Sequence, residues 1–254
     1  MNKKDYALVI GVARYQDKVR FKSLDGPNVD CSEFIDHLVH DGQVPAANIE
    51  SVVWAPDVTH PFPTHSDVQL ALQRLLFSPK GNRPRRGRRL YLFTAGHCEA
   101  PGETEINVLT AESGQIGPVA YPLSKVAMAI HYSGLFKEIV LFTDGCRDAG
   151  DSCAPPVLDG LPRGSWDEIA KVRRLHAYAC SLGLAAYEDE IDGKMRGLFS
   201  YALIEGLNGK AKNKDGHIDN RSLEEYVRVR VGQLGGSALG QEPEVYCPKP
   251  FRLL

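Results

Sequence analysis

The sequence predicts an α/β fold in which helices cover both faces of a mainly parallel central sheet. Short apolar runs rich in β-branched residues alternate along the chain with segments whose apolar residues recur at helical spacing. The runs are apolar throughout rather than at every second position, a pattern typical of parallel strands buried on both faces. The 254 residues, 43% of them hydrophobic and 24% charged, have a globular composition and can bury a large core. We therefore expect a single central sheet of about six strands.

The predicted elements follow one another as the crossover connections of a parallel sheet require. The strands are predicted at residues 6–12, 49–54, 90–94, 138–143 and 174–180. The helices are predicted at residues 28–40, 66–76, 123–132, 197–207 and 223–231. A segment rich in Gly, Pro and Asp at 149–166 indicates an exposed connection between two sheet-forming portions.

Charge and hydropathy argue against several classes of protein. Lysine and arginine total 30 and aspartate and glutamate total 32, so the formal charge of −2 gives no global field for nucleic acid. No apolar run approaches the roughly 20 residues that span a bilayer, and the first run is too short for the core of a signal peptide. We expect a cytoplasmic protein with no nucleic-acid or membrane partner.

Six cysteines are scattered through the chain, at positions 31, 98, 146, 153, 180 and 247. No CxxC pair and no Cys/His ladder occurs, so the sequence gives no support for a structural zinc site. In a reducing compartment most of these thiols are expected to pack in the core. We expect no metal site and no cofactor.

Two predicted strands are followed by residues suited to nucleophilic catalysis. The strand LYLFT leads to His97, and the strand EIVLFT leads to Asp144 and Cys146. Functional groups gather at the carboxyl ends of the strands in open α/β sheets, so His97 and Cys146 are expected to lie close together. A histidine beside a cysteine can accept the thiol proton and later protonate the leaving amine.

Five segments resemble, in order, the landmarks of the caspase-like cysteine peptidases. They are ALVIGVARYQD, SLDGPNVDCSEFIDHL, LYLFTAGH, EIVLFTDGCRD and GLFSYALIEGLNGKAKNKDGHIDNRSLEEYV, and the resemblance runs from about residue 6 to residue 231. It is greatest to the bacterial caspase homologues and metacaspases. The resemblance implies a caspase-like fold and a cysteine endopeptidase in which His97 is the general base and acid and Cys146 is the nucleophile. By analogy it also implies a bacterial role in stress, defence or regulated cell death.

The sequence departs from this family at one position of the His loop. The family has Gly directly after the catalytic His, where its backbone N–H helps to form the oxyanion hole, and this chain has Cys98. A non-glycine residue still offers an N–H and is strained only if the site requires a positive φ. We expect the N–H groups of Cys98 and Cys146 to form the oxyanion hole. The departure leaves open a catalytically silent caspase-like module that binds a partner.

The resemblance also implies the residues of the S1 pocket, which binds the side chain preceding the cleaved bond. Caspases that cut after Asp line this pocket with two Arg and a Gln, and Asp144 stands at the position of the Gln. Alignment on Gly183 puts Glu188 at one Arg position, and the other falls near Asp25. The pocket is therefore expected to have lost its cations and gained carboxylates. A substrate Arg or Lys would neutralise them, so we expect cleavage after basic residues.

Two features of the sequence bear on activation, namely a partial calcium-loop pattern and clusters of basic residues. Residues 214–219 (KDGHID) lack the full twelve-residue calcium loop and are predicted to form a turn that caps the next helix, although calcium dependence stays open. A protease with basic specificity could cut its own chain in the cationic loop at 80–89, or at Arg163, Lys171, Arg173 or Arg174. A chain that acts without processing is an equally reasonable expectation.

We expect a single peptidase domain over residues 1–254, made of a portion bearing His and Cys (1–150), a linker (151–172) and a smaller portion (173–254). The expected partners are a protein substrate and a separate regulator protein, and the expected state is monomeric. A redox enzyme that uses Cys146 is a further alternative. No resolving thiol lies at CxxC spacing, and Cys153 is seven residues on.

Overall fold

A six-stranded sheet forms the centre of the protein in the computed structural model, which describes residues 4–78, 83–150, 158 and 160–253. The strands are β1 (Asp5–Gly11), β2 (Ile49–Val53), β3 (Gly87–Ala95), β7 (Phe136–Asp144), β9 (Arg173–Tyr178) and β12 (Glu244–Tyr246). Their spatial order is β12-β9-β7-β3-β1-β2. Neighbouring strands are parallel except for β12, which runs antiparallel to β9. The predicted fold class is confirmed.

Helices pack on both faces of this sheet. One face is covered by α2 (His65–Leu76) and α3 (Leu123–Ser133), and the other by α1 (Gly26–His40), α5 (Leu198–Glu205) and α6 (Asn220–Gln233). The alternation of side chains along each strand divides the core accordingly: Leu8 and Ile10 pack on the first face, and Ala7 and Val9 on the second. A short helix, α4 (Trp166–Lys171), leads into β9. Within the described ranges, no helix is both long enough and apolar enough to cross a membrane.

Several short elements were not predicted. A second sheet contains β4 (Cys98–Ala100), β5 (Asn107–Leu109), β6 (Ala120–Tyr121) and β8 (Asp148–Ala149), in the order β6-β5-β4-β8. A hairpin pairs β10 (Glu188–Ile191) with β11 (Lys194–Gly197). Strands of two to four residues are too short to show a period in the sequence.

The five predicted strands and the five predicted helices are all present, with shifts at their ends. The strand predicted at 90–94 extends over Gly87–Ala95, and Arg89 near its start is buried in an ion pair with Glu138. The helix predicted at 223–231 begins at Asn220, since the Asp219 carboxylate accepts hydrogen bonds from the Arg221 and Ser222 N–H groups at 2.9 Å. The prediction of a helix-capping turn at 214–219 is confirmed.

The register of the sheet brings three strand ends to one level. Gly11 of β1 pairs with Ala95 of β3, and Ala95 pairs with Asp144 of β7. The loops that follow these strands therefore leave the sheet side by side. They are the loop after β1, the loop with His97 and the loop with Cys146.

A buried arginine lies at the opposite end of the sheet, near the start of β3. Arg89 is 1% exposed, and its Nε donates to Glu138 Oε2 at 2.7 Å. Its Nη atoms donate to the Tyr91 hydroxyl at 2.8 Å and to the carbonyl oxygens of Leu253 and Arg252 at 2.6 and 2.9 Å. The guanidinium thus attaches the carboxyl-terminal segment to β3 and β7.

Replacing Arg89 with Met should destabilise the fold strongly, because it leaves carbonyl groups and part of the Glu138 charge buried without a donor. We expect a loss of about 3 kcal/mol in the free energy of unfolding, measured by urea denaturation. Arg74→Met is the matched control, since Arg74 pairs with Glu50 at 2.9 Å on the surface and should cost less than about 1 kcal/mol. Equal losses in the two variants would contradict this account.

Candidate active site

Backbone constraints hold the loop that carries His97. Gly96 follows β3 with φ of 150°, and a Cβ there would lie 3.0 Å from both the Tyr15 hydroxyl and the Val12 carbonyl oxygen. The His97 N–H donates to the Tyr15 hydroxyl at 2.8 Å, and that hydroxyl donates to the Val12 carbonyl at 3.1 Å. The Tyr15 and His97 rings pack with their centroids 4.9 Å apart. The loop after β1 therefore positions the histidine.

One ring nitrogen of His97 is fixed by a backbone carbonyl. Nε2 lies 2.9 Å from the carbonyl oxygen of Lys22. A carbonyl can only accept, so Nε2 carries the proton and Nδ1 keeps its lone pair in the neutral ring. This tautomer leaves Nδ1 free to act as a base.

Close packing likewise fixes the loop that carries Cys146. A Cβ on Gly145 would come within 2.4 Å of the Gly96 carbonyl oxygen and 2.6 Å of Cys98 Sγ, so only glycine fits between the two loops. Cys146 is partly exposed, and its Sγ lies 3.4 Å from the Ala186 nitrogen. Burial raises the pKa of the Cys146 thiol, and the charges of Asp148 and Asp144 raise it further. The thiol is therefore protonated at neutral pH and needs a base to react.

The residue after His97 is not strained. Among the described non-glycine residues, Gln43 and Asp192 have a positive φ, and Cys98 does not. The Leu109 N–H donates to the His97 carbonyl at 2.9 Å, and the next residue, Cys98, pairs with Val108 in the antiparallel β4–β5 ladder. In an antiparallel ladder the N–H of the next residue points away from that partner. The Cys98 N–H is therefore directed away from β5, on the side of β8, the strand that follows Cys146.

One cavity contains most of the residues singled out in the sequence. His97, Asp144, Cys146 and Glu188 line it together with Asp30, a residue that the sequence analysis did not select. The cavity lies at the carboxyl ends of β3 and β7, between α1 and the β10–β11 hairpin.

The three carboxylates of this cavity, Asp30, Asp144 and Glu188, are held by backbone donors. The Ser200 N–H donates to Asp144 at 2.9 Å, the Gly197 N–H to Asp30 at 2.8 Å, and the Gly26 N–H to Glu188 at 2.8 Å. A Cβ on Gly197 would lie 2.0 Å from Asp144 Oδ2, so glycine is required where the hairpin meets the cluster. We call these three residues the acidic cluster.

A buried arginine that the sequence analysis did not select pairs with one carboxylate of the cavity, although it is not itself a lining residue. Arg196 of β11 is 3% exposed, and its Nε donates to Asp30 Oδ1 at 2.6 Å while its Nη1 lies 2.8 Å from Glu33. Most of the hairpin residues that precede it are charged and exposed, and nothing in that pattern indicates that Arg196 turns inwards. One member of the acidic cluster is therefore already paired.

The structure places the Asp25 carboxylate elsewhere. It is exposed and pairs with Arg14 Nη2 at 2.8 Å, and Asp25 does not line the cavity. Helix α1 begins at Gly26, so Asp30 lies about one turn inside the helix, on the side that faces the strand ends. The Asp25 N–H does contribute, since it donates to Glu188 at 3.2 Å.

Burial and mutual repulsion disturb the ionisation of the acidic cluster. The pKa of Asp30 is raised by burial and by the nearby Asp144 charge, against the lowering effect of Arg196. The pKa of Asp144 is raised by burial and by Glu188, against the hydrogen bond from Ser200. A cation that entered the cavity would relieve this repulsion.

The residue after the nucleophile candidate is fully buried. Arg147 donates to the Cys180 carbonyl at 3.3 Å, to the Glu103 carbonyl and to the Glu244 carboxylate of β12, and it stacks 4.3 Å over the Tyr178 ring. These contacts fasten the Cys146 loop to the edge of the sheet.

Other predicted residues lie away from the cavity. Arg173 and Arg174 belong to β9 in the central sheet, and Lys171 ends α4, whereas Arg163 is exposed and stacks on Trp166. Lys80 and Cys153, and most of the linker up to residue 159, lie outside the described residues. Within the described ranges, no group of three or more His, Cys, Asp or Glu residues is arranged to hold a metal ion.

No protein-family model matches the sequence, and no curated protein sequence is significantly similar to it. Solved structures are similar to the chain in fold. Caspase-1 from Spodoptera frugiperda superposes with a TM-score of 0.60 at 13% identity, over 96% of this chain and 86% of the other. Protein GSU0716 from Geobacter sulfurreducens superposes with a TM-score of 0.56 at 13% identity, over 96% and 93% of the two chains. The chain therefore has a caspase-like fold.

Replacing Arg196 with Met should destabilise the protein in a pH-dependent way, because Asp30 loses its buried partner. We expect a loss of about 3–5 kcal/mol near pH 8. The folded-state pKa of Asp30 is already above that of an unfolded aspartate, and the loss of Arg196 raises it further. Proton uptake therefore favours the folded state as the pH falls through this raised range, and the loss should shrink near pH 5.

Urea denaturation at the two pH values measures this effect. Lys194→Met on the same strand is the matched control, because Lys194 is exposed and pairs with Glu33 at 3.3 Å; it should cost less than about 1 kcal/mol. A deficit for Arg196→Met that does not change with pH would show that Asp30 does not bear the lost interaction.

Proposed function

We propose that the protein is a cysteine endopeptidase that cleaves after Arg or Lys, with Cys146 as nucleophile and His97 as general base and acid. The observation that carries the proposal is the shared cavity, in which His97 and Cys146 face the same space as the acidic cluster. The caspase-like fold supports it because the two residues follow neighbouring parallel strands. The resemblance of the sequence adds the expectation of a bacterial stress, defence or cell-death role.

The tautomer of His97 suits the first step of the reaction. Nδ1 accepts the thiol proton of Cys146 as sulfur attacks the substrate carbonyl, and the Lys22 carbonyl stabilises the resulting imidazolium through Nε2–H. The N–H groups of Cys98 and Cys146 are the donors proposed for the oxyanion. His97 then protonates the leaving amine, and water hydrolyses the thioester with His97 again as base.

The acidic cluster supports basic specificity. Three carboxylates share the cavity and Arg196 bonds one of them, so a substrate guanidinium or ammonium would find uncompensated negative charge at Asp144 and Glu188. The same cation would act on the nucleophile. Asp144 is among the charges that raise the pKa of Cys146, so its neutralisation by substrate favours the thiolate.

A catalytically silent interaction module is the second candidate, and the substitution of Cys98 for Gly favours it. The backbone of Cys98 argues the other way, because a residue without positive φ can present its N–H without strain. The side chain is buried and directed at the Gly96 carbonyl at 3.6 Å, away from bulk solvent.

Fluorogenic peptides ending in Arg, Lys, Asp or Ala test the proposal directly, with and without calcium. We expect cleavage of the Arg and Lys peptides and a loss of about 10³-fold or more in kcat/KM for Cys146→Ala and for His97→Ala. Cleavage after Asp would contradict the assigned specificity and keep the nucleophile. No cleavage of any peptide, by protein whose Cys146 is accessible to iodoacetamide, would favour the silent module.

The choice between Asp144 and Asp25 as specificity residues can be tested by paired amide variants. Asp144→Asn should lower kcat/KM for the Arg peptide by about 10²-fold, mainly through KM, because a charged hydrogen-bond acceptor is lost in a buried site. Asp25→Asn should change it by less than about twofold, since its exposed carboxylate pairs with Arg14.

Alkylation of Cys146 at the wild-type rate or faster in Asp144→Asn would show that the nucleophile is intact in that variant. A larger loss in Asp25→Asn than in Asp144→Asn would contradict the placement of the S1 pocket.

A further inference from the structure

A second cavity lies on the face of the sheet covered by α3, beside β9 and the edge strand β12. Its volume is about 250 Å³, and its lining includes Lys125 of α3, Arg174 and His176 of β9 and Tyr246 of β12. None of these residues lines the candidate active site. The cavity is large enough for a small oxyanion and water.

The tautomer of His176 is determined by its neighbours. The Tyr178 hydroxyl donates its proton to the Thr104 carbonyl at 3.1 Å, so in its 3.2 Å contact with His176 Nδ1 the hydroxyl oxygen accepts and Nδ1–H donates. Nε2 of the neutral ring then carries a lone pair. It is buried without a hydrogen-bond partner among the described residues, and His176 is 3% exposed. An unpaired buried acceptor is unfavourable and calls for a donor.

One positively charged side chain of the cavity, Arg174, has no paired carboxylate among the described residues. Arg174 is half-buried and forms no ion pair with the described carboxylates, and its Nη1 contacts the Met128 thioether, a weak acceptor. Lys125 and Glu105 pair at 3.5 Å and largely cancel one another. Burial and the charge of Arg174 lower the pKa of His176 to about 3, which keeps its ring neutral.

A suitable ligand must bring negative oxygens for Arg174 and a proton for His176 Nε2. Sulfate and carboxylates carry no proton at neutral pH, whereas inorganic phosphate keeps at least one P–OH group. We propose that this cavity binds inorganic phosphate, with anionic oxygens on Arg174 and a P–OH group donating to His176 Nε2. The proposal does not depend on the peptidase activity.

Isothermal titration of the full chain with phosphate and with sulfate, at neutral pH and matched ionic strength, tests the proposal. Phosphate should bind at least about tenfold more tightly than sulfate, because sulfate leaves Nε2 unpaired. Arg174→Gln should weaken phosphate binding by about tenfold or more. Arg228→Gln, the same change at an exposed position of α6, should leave it within about twofold.

Imidazole ¹⁵N spectra of the wild-type protein provide a readout that needs no variant. Phosphate should shift the Nε2 resonance of His176 from that of a free acceptor to that of a hydrogen-bonded one, and sulfate should not. Equal affinity for the two anions, an unchanged Nε2 resonance at saturation, or no binding of phosphate would each overturn the proposal.

Discussion

The buried ion pair between Arg196 and Asp30 is the interaction on which the candidate site depends. It joins the first turns of α1 to β11, and the strand ends where Gly197 packs against the carboxylate of Asp144. Two elements separated by more than 160 residues thereby meet at the end of β7. Because removing one partner from such a pair leaves an uncompensated buried charge, the hairpin and the helix cannot separate without a large cost.

The Arg196–Asp30 pair does not neutralise all of the negative charge of the acidic cluster. Arg196 also contacts Glu33, so its single charge is divided among several carboxylates, while the hydrogen bonds to Asp144 and Glu188 come from neutral donors. Backbone N–H groups stabilise a carboxylate but do not neutralise it. The carboxylates of the cavity are thus held in place before any cation is bound, and this preorganisation supports the proposed specificity for basic side chains.

The sequence predicted the large elements because each has a clear hydrophobic pattern. It predicted that His97 and Cys146 lie close together because the carboxyl ends of parallel strands meet at one edge of the sheet. It could not predict the burial of Arg196, since most of the hairpin residues before it are charged and normally solvated, and its burial follows from a partner on α1. The alignment indicates the neighbourhood of Asp25 and does not single out Asp30, because an alignment locates a segment of the chain and not the direction of its side chains. The helix start at Gly26 decides which of the two carboxylates faces the strand ends.

The loop with Cys146 is attached to the sheet edge as well as to the site. Arg147 bonds the carboxylate of Glu244 on β12 and stacks on Tyr178, whose hydroxyl contacts His176 in the second cavity. Arg147 is fully buried and its Nε has no hydrogen-bond partner among the described residues, so a shift of β12 that broke the Glu244 contact would leave more of the guanidinium unpaired. The loop that carries Cys146 is therefore connected through Arg147 to the outermost strand, where the sheet has no further neighbour in the described chain.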